Sequence, residues 1–317
     1  MCHSILGTGM YVPETIISND ALAAMCGSSD QWIRQRVGVK QRHVCTEETA
    51  ADLAVQASVR ALENAGCKPE ELDLILAATV SGELISPSVS CMVQRRLGVN
   101  CLAMDINAAC SSFIFLLETA AGFFARKKLR RALVIGAERM SRIVDWEDRS
   151  TCVIFGDGAG AVVLGPGNGY MDANLTVAGG DEVICIPHFT GKSPFFTPTP
   201  SHPYIHMEGQ ETFKFAVNAL CRDVRKLLAD NGLAPEDVAY IVPHQANLRI
   251  IELAAARLGF PLEKFYVNIQ NYGNTSSASI PIALDEMNRG GMLKRGDLLI
   301  FAAFGGGLSN AACLVKW

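Results

Sequence analysis

Apolar residues along this chain fall into short continuous runs that alternate with longer stretches of helical spacing. Residues 50–64 are rich in Ala and Leu and stop just before Gly66, a residue suited to a left-handed C-cap, so they predict a helix. Residues 74–80 form a wholly apolar run that fits a buried strand. Ser86-Pro87 offers an N-cap with proline at the first helical position, opening a helix that ends at Gly98. A buried strand at 101–106, a helix from about Cys110 to Arg126, and strands at 132–137 and 159–164 follow. The order then returns: a helix at 211–230, a strand at 239–242, a helix at 247–258 and a strand at 265–268. A helix at 274–287 and strands at 298–303 and 310–315 complete it. Strands that are apolar throughout need helices on both faces of their sheet.

The recurrence is also written in residues. Gly66 and Gly232, Pro69 and Pro235, and Ile75 and Ile241 are each 166 positions apart, and Arg96-Leu97-Gly98 returns as Arg257-Leu258-Gly259 after 161. Two matches in one order predict two related halves and a layered α/β/α/β/α architecture. Matching the halves aligns the helix that begins at Cys110 with the one that begins at Asn274, and the end of strand 74–80 with Pro243-His244. In α/β sheets, ligands collect at strand carboxyl ends and helix amino ends. A pseudo-twofold relation would bring Cys110, His244 and Asn274 into one pocket.

Composition narrows the class. The 317 residues are 49% hydrophobic and 19% charged, enough to bury a large core. A net charge of −4 gives no reason to expect nucleic acid, although basic residues cluster at 34–42 and 126–131. The eleven cysteines are scattered singly, as reduced thiols of a cytoplasmic protein would be. No Cys/His spacing suits a metal, and no stretch reads as a signal or a membrane span.

Four short segments could carry chemistry. In Asp105-Ile106-Asn107-Ala108-Ala109-Cys110, a strand gives way to a helix opened by cysteine, where helix N–H groups would lower the thiol pKa. Taken alone, Cys110 could equally be a small buried apolar residue. His244 follows an apolar strand, Asn274 stands where an N-cap would, and Gly305-Gly306-Gly307 turns between two strands with bare backbone amides.

Together these segments resemble β-ketoacyl-acyl carrier protein synthase III of the thiolase-like superfamily, essentially end to end. The resemblance rests on Gly7 to Pro13, Trp32 to Val39, Asp105 to Phe113, Phe155 to Ala161, Met207-Glu208-Gly209, Pro243 to Arg249 and Asn271 to Ser279. It implies a thiolase-like, internally duplicated fold with halves 1–168, bearing the nucleophile, and 169–317, bearing His and Asn. It also implies that type II fatty acid synthesis is initiated by decarboxylative condensation of an acyl-CoA primer with malonyl-acyl carrier protein. Cys110 would carry the acyl group, His244 and Asn274 would stabilise the decarboxylation oxyanion, and the amides of Cys110 and Gly306 the second oxyanion. Position by position, Trp32 and Arg149 would sandwich the adenine of CoA, and Arg36 would sit near its phosphates. Met207, Gly209, Phe213, Ala246, Asn247 and Ile250 would wall the pantetheine tunnel, with Lys214, Arg249 and Arg257 engaging the acidic carrier protein. The family further implies a homodimer and no cofactor.

Two positions depart from the family pattern. Ser86 stands where acetyl-specific relatives carry a phenylalanine that closes the primer pocket across the dimer interface, leaving room for a longer or branched primer. Ser112 replaces a glycine two residues after the nucleophile, a small-for-small change expected to be tolerated. The Pro-rich, aromatic segment 187–203 predicts a substrate-covering loop. Other readings are a related synthase of secondary metabolism and a non-catalytic partner subunit, which would be expected to lose its nucleophile. Hydroxymethylglutaryl-CoA synthases share the fold but need a glutamate base with no evident counterpart here. Gly156-Asp157-Gly158-Ala159-Gly160 precedes a strand instead of linking strand to helix, so it does not support a dinucleotide site.

Overall fold

The structure is a computed structural model that describes residues 2–187, 194–195 and 204–317. The expected covering loop at 187–203 lies outside the described residues except for Pro187, Pro194 and Phe195. The first half runs Cys2–Tyr11 (β1), Ile16–Ser18 (β2), Asn19–Cys26 (α1), Asp30–Arg36 (α2), Gln41–His43 (β3), Ala50–Ala65 (α3) and Leu72–Ala78 (β4). It continues with Val89–Leu97 (α4), Leu102–Asp105 (β5), Ser112–Arg126 (α5), Arg131–Glu138 (β6) and Gly158–Gly167 (β7). Then come Tyr170–Val177 (β8), Ile184–Cys185 (β9), His206–Met207 (β10), Gly209–Asp230 (α6), Val238–Pro243 (β11) and Leu248–Leu258 (α7). Ile269–Tyr272 (α8), Ser279–Arg289 (α9), Leu298–Gly305 (β12) and Ser309–Lys316 (β13) close the chain.

The first sheet has the order β1-β7-β6-β4-β5, with β6, β4 and β5 parallel and β7 antiparallel to both its neighbours. The second has β8-β13-β12-β11, with β12 and the edge strand β11 parallel and β13 antiparallel to both its neighbours. Order and sense therefore repeat. Where β5 would recur, Phe265 makes only an isolated parallel bridge to Ile241. The strand expected at 265–268 is absent because Gln245 occupies the backbone there. Its amide donates to the Tyr266 carbonyl at 3.0 Å and accepts from the Asn268 and Ile269 N–H groups at 3.0 and 3.2 Å.

Packing sorts the helices into layers. On α5 and α9, Ile114, Leu117, Ile280 and Leu284 lie between Leu76 and Val134 of the first sheet and Phe301 and Cys313 of the second. Leu53, Ala57 and Val93 of α3 and α4 cover the outer face of the first sheet, and Val217, Leu220 and Ile251 of α6 and α7 that of the second. The result is a five-layered α/β/α/β/α molecule of the thiolase-like type. The stretch Ala109–Arg126 is long and apolar enough to cross a bilayer, yet here it is the core helix clamped between the sheets.

The repeat seen in the sequence is a repeat of turn geometry. Gly66 and Gly232 follow α3 and α6 with φ of +63° and +61°, a region that favours glycine, and 3₁₀ turns at Pro69–Glu71 and Pro235–Asp237 then lead into β4 and β11. One helix start moves from its expected place. Ser88, not Ser86, caps α4, because its hydroxyl accepts the Cys91 N–H while the Asp105 carboxylate takes the Val89 and Ser90 N–H groups at 2.8 and 2.9 Å. Helices α5 and α9 also begin later than Cys110 and Asn274, each after its own 3₁₀ turn at Ala109–Ser111 and Ser276–Ala278.

Candidate active site

Those two 3₁₀ turns are copies. Ala109 and Ser276 are the described non-glycine residues with positive φ, +50° and +48°, and each is held by an asparagine two residues earlier. Asn107 Oδ1 accepts the Ala109 N–H at 2.9 Å and Asn274 Oδ1 the Ser276 N–H at 2.8 Å. The register therefore pairs Asn107 with Asn274, Cys110 with Ser277 and Ser112 with Ser279, three residues away from the alignment of Cys110 with Asn274 expected from the sequence. A left-handed non-glycine residue costs about 1–2 kcal/mol, so both turns are strained and need outside support.

The Cys110 turn receives it from hydroxyls. Ser112 Oγ accepts the Ala108 N–H and donates to the Ala109 carbonyl, both at 2.7 Å. Ser111 and Ser309 bond each other at 2.6 Å, and each also reaches the Ala108 carbonyl. The end of β12 presses on the same turn: a Cβ on Gly305 would lie 2.7 Å from the Cys110 nitrogen. Burial pushes the Cys110 thiol up to about 12, opposed by the Ser276 hydroxyl and by its own backbone N–H. This overturns the expectation of a lowered thiol pKa. The N–H groups of Ser111 and Ser112 are spent on the Ala108 and Ala109 carbonyls, so desolvation outweighs what the helix end supplies.

The second turn reaches three groups at once. Asn274 is 5% exposed, and because its oxygen faces the Ser276 N–H, its NH₂ is the part left for a ligand. The turn Ser276–Ala278 packs against the turn Ala109–Ser111 that carries Cys110, and the Ser276 hydroxyl has no hydrogen-bond partner among the described residues. Ser279, at the start of α9, lies 2.7 Å from His244 Nδ1. His244 is 1% exposed at the end of β11, its ring edge-on to Phe304 and its backbone N–H donating to the Ala302 carbonyl at 2.8 Å. Burial lowers its pKa to about 3, and its Nε2 has no partner among the described residues. One six-residue stretch, 274–279, thus contains Asn274, meets His244 through Ser279 and packs beside the turn that bears Cys110.

One buried acid here escaped sequence reasoning. Glu138, fully buried at the end of β6, accepts from Ser277 Oγ at 2.7 Å, Ser81 Oγ at 2.5 Å and the Val80 N–H at 3.0 Å. Burial raises its pKa and the serine hydrogen bonds oppose that rise. The signal was a lone carboxylate ending an apolar strand. With its oxygens engaged by these donors, Glu138 ties β4 and β6 to the second turn.

The expected binding residues fall on two neighbouring surfaces. The Arg149 guanidinium lies 5.2 Å from the Trp32 ring centroid, too close to hold a flat ring between them at about 3.5–4.0 Å from each, so a sandwiched base requires Arg149 to swing away. Arg36 is exposed at the end of α2, and Asn247, the N-cap of α7, donates to its carbonyl at 3.0 Å. Met207 sits in β10, Gly209 opens α6, Ala246 is half-buried beside His244, and Ile250 is 4% exposed. Arg249 stands 5.9 Å over the Phe213 ring, joining α7 to α6. Lys214 pairs with Glu211 at 2.7 Å and Arg257 with Asn218 at 3.0 Å, both at the surface. Gly306, half-buried, follows β12, and Ser309 Oγ donates to its carbonyl at 3.0 Å. Ser86 lies exposed between β4 and α4 beside Leu84 and Ile85, which are 51% and 80% exposed. Among the described residues, no group of three or more His, Cys, Asp or Glu side chains could hold a metal.

Family models described as 3-oxoacyl-[acyl-carrier-protein (ACP)] synthase III match residues 104–179, and its C-terminal part residues 228–317. Together they span both turns and His244. The chain belongs to the β-ketoacyl-acyl carrier protein synthase III family. It is 47% identical to the β-ketoacyl-[acyl-carrier-protein] synthase III of Clostridium acetobutylicum, over 99% of this chain and 98% of that one. The crystal structure of 3-oxoacyl-[acyl-carrier-protein] synthase III from Aquifex aeolicus superposes with a TM-score of 0.92 at 43% identity, covering 99% and 100% of the two chains. The priming β-ketosynthase of the R1128 polyketide biosynthetic pathway matches with a TM-score of 0.90 at 34% identity, over 99% and 96%. Membership of the synthase III family makes the chain an acyltransferase of the condensing type.

Proposed function

We propose that this chain starts fatty acid synthesis by condensing an acyl-CoA primer with malonyl-acyl carrier protein, releasing CoA and CO₂ and leaving a 3-oxoacyl-acyl carrier protein. The observation that supports this reading is the 274–279 stretch, which carries the Asn274 amide, bonds His244 through Ser279, and packs beside the turn that bears Cys110. In the first stage Cys110 attacks the acyl-CoA carbonyl, its thiol proton leaves with CoA, and the Cys110 and Gly306 amides hold the oxyanion. In the second stage malonyl decarboxylation develops charge on the thioester oxygen, where neutral His244 and Asn274 act as donors. A histidine that burial keeps neutral is suited to donate one hydrogen bond without becoming a proton source.

The two halves 1–168 and 169–317 would contribute nucleophile and donors respectively. In the same reading, Trp32, Arg36 and Arg149 receive the nucleotide end of CoA, Met207, Gly209, Phe213, Ala246, Asn247 and Ile250 its pantetheine arm, and Lys214, Arg249 and Arg257 the carrier protein. The protein works in the cytoplasm as a homodimer, with the exposed Leu84-Ile85-Ser86 loop at the partner's primer pocket and no bound cofactor. A second reading, priming of a secondary-metabolic synthase with a longer or branched acyl group, is favoured by Ser86 and by the likeness to the R1128 enzyme. Intact-protein mass spectrometry with a panel of acyl-CoAs tests both. A single acyl adduct is expected, lost in Cys110→Ala, and its preferred chain length separates the two readings. No adduct with any acyl-CoA would remove the mechanism, and undiminished CO₂ release by His244→Ala and Asn274→Ala would remove their roles.

A further inference from the structure

We propose that Ser279 is a positioning residue that fixes His244 in the tautomer with hydrogen on Nε2, by donating its hydroxyl proton to Nδ1. The inference rests on the function proposed above and deepens it. Ser279 Oγ lies 2.7 Å from Nδ1 and also accepts the Gln245 N–H at 3.2 Å. Ser279 is 3% exposed, so no solvent shell completes its hydrogen bonding. With one lone pair taken by an N–H, the arrangement that uses the hydroxyl proton has Nδ1 as its acceptor. The opposite tautomer would place two N–H groups on one hydroxyl oxygen and leave its proton without an acceptor. It would also turn a bare lone pair at Nε2 toward a developing oxyanion, replacing attraction with repulsion.

Two further features make the tautomer matter. Nε2 is buried and unpartnered among the described residues, so its state is not set from that side until a ligand arrives. Burial also disfavours a second ring proton, so His244 cannot supply a donor on both nitrogens. Gln245 supports the same geometry. Its side chain bonds the Pro243 and Tyr266 carbonyls and the Asn268 and Ile269 N–H groups, which fixes the backbone carrying both His244 and the N–H aimed at Ser279. Comparison with the first turn isolates the role. The matching hydroxyl of Ser112 donates to the Ala109 carbonyl three residues back, whereas that of Ser279 is directed to the imidazole. Groups that orient a functional histidine through its second nitrogen typically change function about 10–100-fold when removed.

The test combines spectroscopy and half-reactions. Nitrogen-15 NMR of the histidine-labelled wild-type protein, with His244 assigned by loss of its signals in His244→Ala, reads the tautomer directly and needs no turnover. Hydrogen on Nε2 is expected; hydrogen on Nδ1 would overturn the proposal whatever the variants do. Ser279→Ala should lower CO₂ release from malonyl-acyl carrier protein about 10–100-fold and alter the His244 signals. It should leave Cys110 acylation within about threefold of wild type, and Ser279→Thr, which keeps the hydroxyl, should restore CO₂ release. Unchanged CO₂ release in a folded Ser279→Ala would overturn the inference while leaving His244 in its role; unchanged release in His244→Ala would instead overturn the function reading.

Discussion

Gly305 is the place where a single methyl group should disable the nucleophile. A Cβ added there would lie 2.7 Å from the Cys110 nitrogen and 3.1 Å from Ala109 Cβ. Carbon contacts at rest are about 3.5–4.0 Å, so one side must yield by roughly an ångström. β12 cannot easily give way, being paired along its length with β11 and β13. The turn carrying Cys110 must move instead, and it is already held in the left-handed region at Ala109. Misplacing a reacting group by about 1 Å commonly costs about 10²-fold, and withdrawing an oxyanion donor about 10²–10³-fold. Gly305→Ala is therefore expected to slow Cys110 acylation about 10²–10³-fold. Overpacking should cost about 1–3 kcal/mol of stability, which leaves the protein folded. The assay is the time course of the acyl adduct by intact mass at saturating acyl-CoA, beside a thermal melt. Acylation within threefold of wild type would show that Gly305 does not set the position of Cys110.

Two other expectations concern stability. Burial holds His244 and His3 near about 3 and about 4, whereas in the unfolded chain each takes up a proton near the ordinary histidine value. Their contribution is complete above about pH 6.5 and is lost as pH falls from there toward 4, on the order of 1 kcal/mol per histidine per pH unit. Urea unfolding at pH 7.5 and pH 5 should show the loss, and a His3→Gln/His244→Gln double variant should show less; equal wild-type stability at both values would refute it. Ser112→Ala strips the Ala108 N–H of its acceptor and frees the Ala109 turn, costing about 1–3 kcal/mol. A Tm unchanged from wild type would refute the support assigned to that hydroxyl.

Much of this molecule was legible in its residues, for reasons that also explain the failures. Apolar runs at β4, β6, β7, β12 and β13 announced themselves because both faces of each sheet are covered, so no polar alternation interrupts them. The duplication was visible because Gly66-x-x-Pro69 and Gly232-x-x-Pro235 are demanded by the same left-handed cap and 3₁₀ turn. What stayed hidden depends on distant partners. Arg42 reads as one more surface arginine of a basic cluster, yet it is fully buried, its guanidinium donating to Asn19, the Ile17 carbonyl and the Val153 carbonyl. The start of α4 moved to Ser88 because Asp105, on the next strand, supplies the acceptors. Glu138 could not be placed because Ser277, the residue that gives it meaning, is 139 positions away.

The pKa of Cys110 shows most clearly why a helix start in sequence does not determine chemistry. Position before a helix argues for a thiolate, but α5 follows a 3₁₀ turn, and the Ser111 and Ser112 N–H groups are taken by the Ala108 and Ala109 carbonyls. The free thiol is instead pushed up to about 12 by burial, which favours its neutral form. Burial lowers His244 to about 3, which makes it a poor acceptor for the thiol proton. Burial thus favours the neutral form of both groups, and loss of the thiol proton is expected to accompany the bond it forms. That places the demand on groups near the developing charge: the Cys110 backbone N–H and, on the turn packed against it, the Ser276 hydroxyl, which has no hydrogen-bond partner among the described residues. The strained turns at Ala109 and Ser276 are where those two donors sit, one in each copy of the duplicated unit. Strain is thus concentrated at the two positions from which the nucleophile can be stabilised.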